Sequence, residues 1–171
     1  MKRNSKNRIA SFLIAGALAS MAGHATEGGT FPAWTSSHAD TEWAGSAELW
    51  LDPAGDKAEV SDASLQVAPS RIDYTWSFRG KDQEGEIVLG EEGLRWRDSW
   101  HQPEPVRLEP VRDHGALLAG EYSYSAPTGP DWHWRVKLAQ RPDGTLVLQM
   151  TNIAPWGEEV RAVRMVFQEA E

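Results

Sequence analysis

The alternation of apolar and polar side chains along most of this chain predicts an all-β fold, a single antiparallel up-and-down barrel of about eight to ten strands. Three observations carry that reading. Apolar residues recur at every second position from residue 41 onward, turn chemistry cuts the runs at short regular intervals, and the apolar sides are rich in tryptophan and tyrosine. A two-residue period marks a strand whose faces meet different surroundings. No long stretch holds an apolar stripe at helical spacing as well as these segments hold period two, so helix is a minor component.

The chain begins with a basic segment that contains no acid (Lys2, Arg3, Lys6, Arg8), followed by an apolar run over residues 9–23 and the small-residue pattern Gly23-His24-Ala25. Basic, apolar and small in that order predict a secretory leader, cleaved after Ala25. The apolar run falls short of the roughly 18 residues that span a bilayer, and no second run follows, so a stable membrane anchor is not expected. Residues 26–40 are rich in Gly, Ser and Thr without a period and read as a loose arm, leaving residues 41–171 as the folded domain. Export to the periplasm or the medium is the expected destination.

Within that domain the clearest strand is residues 71–79, with Ile72, Tyr74, Trp76 and Phe78 on one side and Arg71, Asp73, Thr75, Ser77 and Arg79 on the other. Residues 132–138 repeat the pattern with Trp132, Trp134, Val136 and Leu138, and Leu146, Leu148 and Met150 continue it. Between the runs stand turn sequences such as Arg79-Gly80-Lys81-Asp82, Gly90-Glu91-Glu92-Gly93 and Arg141-Pro142-Asp143-Gly144. In the last, proline presets φ for the first turn position and glycine accepts the left-handed conformation that closes a hairpin. The breaks delimit strands near 42–51, 57–67, 71–79, 84–89, 94–101, 105–112, 116–125, 132–140, 145–152 and 158–168. Short connections require antiparallel hairpins, and a meander this long curls to avoid bare edges. Residues 102–110 carry Pro103, Pro105 and Pro110 and read as an edge strand or a loop across a barrel mouth. A two-sheet sandwich shares the periodicity, but it would carry aliphatics where this chain carries broad amphipathic rings, so the barrel is favoured.

Composition removes several functions. With 25 acids against 17 bases the net charge is −8, and loss of the four leader bases takes it to −12. Such a surface is a poor partner for nucleic acid. The absence of cysteine excludes disulfides, Cys-ligated metal and a thiol nucleophile. No nucleotide-binding glycine motif, nucleophile elbow or paired-histidine metal motif is present, so no cofactor or metal is expected.

Four segments carry a resemblance: Glu42-Trp43-Ala44-Gly45, Tyr74-Thr75-Trp76 before a glycine turn, Trp96-Arg97-Asp98-Ser99-Trp100-His101, and Gly129-Pro130-Asp131-Trp132-His133-Trp134. Together they resemble a bacterial family of uncharacterised lipocalin-like (calycin) barrels with a leader peptide, over residues 41–167. The resemblance implies a barrel with an internal cavity and brings no catalytic residue with it.

The candidate site follows from the inward sides. Tyr74, Trp76, Trp96, Trp100, Trp132 and Trp134 would line a cavity, with Tyr122 and Tyr124 adding phenolic hydroxyls. Asp98 falls on the face of Trp96 and Trp100, and a carboxylate among indoles must find donors or a cation. Arg161, sharing a face with Val163, Met165 and Phe167, is the expected partner. His38, His101, His114 and His133 fall outside the inward aromatics and read as surface residues, which argues against a haem or metal ligand. These features predict an exported protein that binds a small, largely apolar or aromatic ligand. A cavity enzyme using Asp98 as acid or base, and an envelope protein docking a partner at the edge near residues 103–110, are the alternatives.

Overall fold

A computed structural model describes residues 30–52 and 57–171. The expected leader over residues 1–25 lies outside the described residues, as does the start of the expected arm. The described chain is one antiparallel barrel, nearly closed. Short α1 (Phe31–Ser37) precedes β1 (Glu42–Leu49), β2 (Glu59–Ala68), β3 (Arg71–Phe78), β4 (Lys81–Gly90), β5 (Gly93–Asp98), β6 (Gln102–Arg107), β7 (Glu109–Pro110), β8 (Leu118–Tyr124), β9 (Trp132–Gln140), β10 (Leu146–Ile153) and β11 (Glu159–Glu169). The sheet order is β6-β5-β4-β3-β2-β1-β11-β10-β9-β8-β7. Consecutive strands therefore lie side by side except β6 and β7, which form the two edges, and β1 pairing with β11 joins the two halves.

Closure depends on the proline-rich segment. β6 bonds to β5 and β7 bonds to β8, with buried Leu108 between them donating its N–H to the Leu94 carbonyl at 2.8 Å. One stretch of chain thus crosses from one edge of the sheet to the other. Val106 stands opposite Trp96, and N–H groups of its parity face β5. Pro105, at the other parity, loses no ladder bond, which is why proline is tolerated there. β7 covers β8 only at Gly120 and Glu121, so residues 122–124 have a strand partner on their β9 side alone among the described residues. The edge of β8 at Tyr122 and Tyr124 is thus without a ladder partner.

The interior is built from the predicted alternation. Ile72, Tyr74, Trp76, Ile87, Trp96, Val136, Leu138, Leu146, Leu148, Met150, Met165 and Phe167 are all buried. The arm departs from expectation. Residues 31–37 form a helix that starts with proline in its first turn, where the missing N–H costs nothing. Phe31 and Trp34 are buried, the Trp34 indole donates to Gln140 Oε1 at 2.9 Å, and Thr35 Oγ1 accepts the Ser70 N–H at 3.0 Å. The helix plugs the end of the barrel where β1, β3 and β10 begin. The opposite end, where β5 meets β6 and β8 meets β9, carries the remaining aromatic rings.

Candidate functional site at the unplugged end

The register of three strands sets the centre of the site. Tyr74 on β3, Gly85 on β4 and Asp98 on β5 lie in one row, Tyr74 opposite Gly85 and Gly85 opposite Asp98. Glycine in the middle lets the tyrosine ring lie across β4; a Cβ at Gly85 would clash with the phenol end of that ring, 2.0 Å from Cζ. Tyr74 Oη thereby reaches Asp98 Oδ2 at 3.1 Å, and Trp76 Nε1 donates to the same oxygen at 3.1 Å. Trp96 Nε1 donates to Tyr74 Oη at 2.9 Å. Tyr74, Trp76 and Trp96 are at most 2% exposed, and Asp98 is fully buried among them. Around Asp98 the interior is packed rather than hollow.

The other carboxylate oxygen builds a turn. Oδ1 accepts the backbone N–H of Trp100 at 3.0 Å and of His101 at 3.1 Å, the local pattern by which an aspartate ends a strand. The turn swings His101 back over its own cap, so that Nδ1 lies 2.9 Å from Oδ1. Asp98 thus meets five donors and no solvent. Burial alone would raise its pKa, but the His101 ring, the turn N–H and the Trp76 indole together hold it below the usual carboxylate value. An ionised Asp98 places a His101 proton on Nδ1 and leaves Nε2 as the outward atom of the ring. Nε2 makes no hydrogen bond with the described residues and is not sealed from solvent, the side chain being 13% exposed.

His101 lies within an aromatic stack. Its ring is 5.7 Å from that of Trp76 and 4.9 Å from that of Trp134. Trp134 stacks on Trp96 at 5.9 Å, Trp96 meets Tyr122 at 5.9 Å, and Tyr122 meets Tyr124 at 6.0 Å. Tyr124 Oη donates to Asn152 Oδ1 at 2.7 Å. Both phenols are half-buried, and burial pushes the Tyr122 hydroxyl up to about 12, helped by Tyr124 and Asp98. Desolvation, then the Asp98 charge, raises Tyr74 well above its ordinary value. Trp134 Nε1 is buried and has no hydrogen-bond partner. An orphaned buried donor costs about 1–3 kcal/mol and marks a place where an acceptor would be welcome.

Three expectations are corrected here. Arg161 is exposed and its guanidinium lies 4.9 Å over the Trp50 ring, so it does not pair with Asp98. The cause is a bulge: Met150 faces Val163 but Thr151 faces Arg161, so Ala162 and Val163 both turn inward and Arg161 turns out. Trp100 is 46% exposed and packs on Phe78 at 4.5 Å, because the Asp98-capped turn ends the strand before residue 100. The same turn carries His101, expected at the surface, in among the indoles. Trp132 is half-buried and meets the exposed Trp156 edge-on at 5.7 Å. His114 and His133 are exposed, while His38 stacks on Trp34 at 4.5 Å.

Of the residues expected to line a site, the structure joins Tyr74, Trp76, Trp96, Asp98, Tyr122, Tyr124 and Trp134 into one continuous cluster, with Trp100 and Trp132 on its rim. Asp98 is sealed, so the group it presents to the outside is His101. Compared with known proteins, the chain matches no family model and no curated protein.

Proposed function

We propose that this protein is an exported small-molecule binder, holding a largely apolar or aromatic ligand at the unplugged end of a lipocalin-like barrel. The observation that carries the reading is Trp134 Nε1, a buried donor that the fold leaves without a partner, on a ring packed against His101 inside a stack of aromatic rings. A few converging polar groups in an apolar aromatic setting are the usual make-up of a small-molecule site. In this reading the ligand enters by the unladdered edge of β8 beside Tyr122 and Tyr124, and the packed floor around Asp98 limits it to the mouth. Tyr74, Trp76 and Trp96 then hold the site in place from below, and Tyr122, Tyr124 and Trp134 contact the ligand. Export rests on the basic, apolar and small pattern of residues 1–25.

The test is native mass spectrometry of protein recovered from its own compartment, alongside a Trp134→Phe, His101→Phe double variant. A bound small molecule on the natural chain that is missing from the variant is the expected result. Protein that is bare in repeated preparations, and whose tryptophan emission is unmoved by a panel of aromatic compounds, would overturn the reading.

A further inference from the structure

The turns at the unplugged end carry the apolar residues that the fold leaves in water. All four exposed large hydrophobics among the described residues lie there: Leu51 just past β1, Val60 at the start of β2, Trp100 between β5 and β6, and Trp156 between β10 and β11. Half-buried Trp50 and Trp132 stand at the same level, after β1 and at the start of β9. The strand order spreads these positions around the rim rather than along one flank. At the plugged end no large hydrophobic is exposed among the described residues. The exposed indoles are not there to build their turns. The β10–β11 turn is closed by the Gly157 N–H on the Ala154 carbonyl at 2.8 Å, yet Trp156 at its tip is 70% exposed. Surface hydrophobics are ordinarily scattered singly, so their confinement to one end marks an interaction face.

We infer that this rim docks on the surface of a zwitterionic phospholipid layer, a shallow and reversible contact. Indole suits that boundary, because its ring is apolar and its N–H serves the wet side. The charges match as well. Arg79 lies 4.9 Å over the Phe78 ring and Arg161 4.9 Å over the Trp50 ring, and neither pairs with a carboxylate among the described residues. A guanidinium carried on a ring at such a rim is placed to meet a lipid phosphate while the ring meets the less polar layer beneath. Exposed Asp82, Asp131 and Glu158, on the same turns, suit the ammonium that accompanies each phosphate in a zwitterionic head group. A wholly anionic surface would be repelled by these acids and by the acidic chain behind them. A protein partner or a second copy calls for one buried apolar core with charges depleted from it. Here the hydrophobics sit on separate connections with charged residues between them, so each side chain enters the lipid boundary by itself. Docking of this kind needs no bound small molecule and stands apart from the binding reading above.

The test is flotation of the mature chain, without its apolar leader, with phosphatidylcholine vesicles, some carrying brominated acyl chains. The natural chain should float with the vesicles, and the bromines should quench part of its tryptophan emission. Mixing anionic phosphatidylglycerol into the vesicles should weaken the binding. A Trp100→Ser, Trp156→Ser double variant should keep the natural circular dichroism and partition about tenfold or more weaker, the effect of two indoles withdrawn from the boundary. Trp156→Ser alone, on a tip that packs only against Trp132 and Glu158, keeps the comparison readable where the double variant is poorly folded, and should weaken partitioning in the same direction. A natural chain that stays off phosphatidylcholine, folded variants that partition as well as it does, or binding that strengthens with phosphatidylglycerol would each overturn the inference. Self-association that the variants lose, without any flotation, would assign the rim to a second copy and overturn it too.

Discussion

Replacing Asp98 by asparagine changes one atom and upsets five hydrogen bonds. Oδ1 receives Trp100 N, His101 N and His101 Nδ1, and Oδ2 receives Tyr74 Oη and Trp76 Nε1. An amide has one acceptor oxygen. With that oxygen kept on the turn side, the new NH2 faces the Tyr74 hydroxyl and the Trp76 indole. The tyrosine can rotate to accept, but the Trp76 N–H, on a side chain 2% exposed, is left unpaired at a cost of about 1–3 kcal/mol. The remaining bonds fall from charge-assisted to neutral strength, roughly 1 kcal/mol or more each. Relief from burying a charge offsets part of this, leaving a net loss of about 3 kcal/mol. For a domain of this size that corresponds to a Tm lower by roughly 10 °C.

Urea and thermal unfolding followed by tryptophan emission measure the loss. The acid limb of the profile supplies a second reading. The folded Asp98 carboxyl titrates below its unfolded value, so its contribution is full above the unfolded pKa of about 3.9 and is lost as pH falls through the lower folded pKa. Asp98→Asn should flatten that limb. Arg161→Ala serves as the control and should stay within about 0.5 kcal/mol, since the guanidinium is exposed over Trp50. An Asp98→Asn protein within about 2 °C of wild type, or an Arg161→Ala protein as unstable as Asp98→Asn, would refute the network described above.

Two further outcomes follow from the same geometry. Gly85→Ala sets a methyl 2.0 Å from Tyr74 Cζ and must push that ring off Asp98, so it should cost about 3 kcal/mol or abolish folding; a Tm close to wild type in calorimetry would show that β4 yields instead. All three tyrosines have raised folded pKa values, so their contribution is full below about 10 and is lost as pH rises through the folded values, about 12 for Tyr122. The phenolate absorbance should therefore rise together with unfolding, and a free titration near 10 with the fold intact would contradict the burial described.

Much of the barrel is legible in the residues. Alternation through Ile72, Tyr74, Trp76 and Phe78, and through Leu146, Leu148 and Met150, reports the inner face because strand geometry enforces it. What escapes is whatever shifts the period by one. The Ala162 bulge turns Arg161 outward, and the Asp98-capped turn moves Trp100 and His101 to the faces opposite those that simple alternation assigns. Both are local hydrogen-bonding events that hydrophobic pattern does not encode. Two missed signals were present. An isolated glycine within a strand, Gly85, marks a close approach, and Asp98 followed by Ser99 is turn chemistry. α1 is too short to show a period, and its proline start and buried Trp34 matter only once the barrel end exists to receive them.

The wall is stitched along most of its circumference by ladders of six to eight residue pairs, but β7 meets β8 through two. Where so few bonds bear the strain, thermal breathing concentrates. Amide exchange should run fastest at Glu121 and its flanks, and the cylinder should part there first, as a garment opens along its loosest hem. The fracture line runs beside the phenols of Tyr122 and Tyr124, so the shell is weakest where its aromatic cluster reaches the wall.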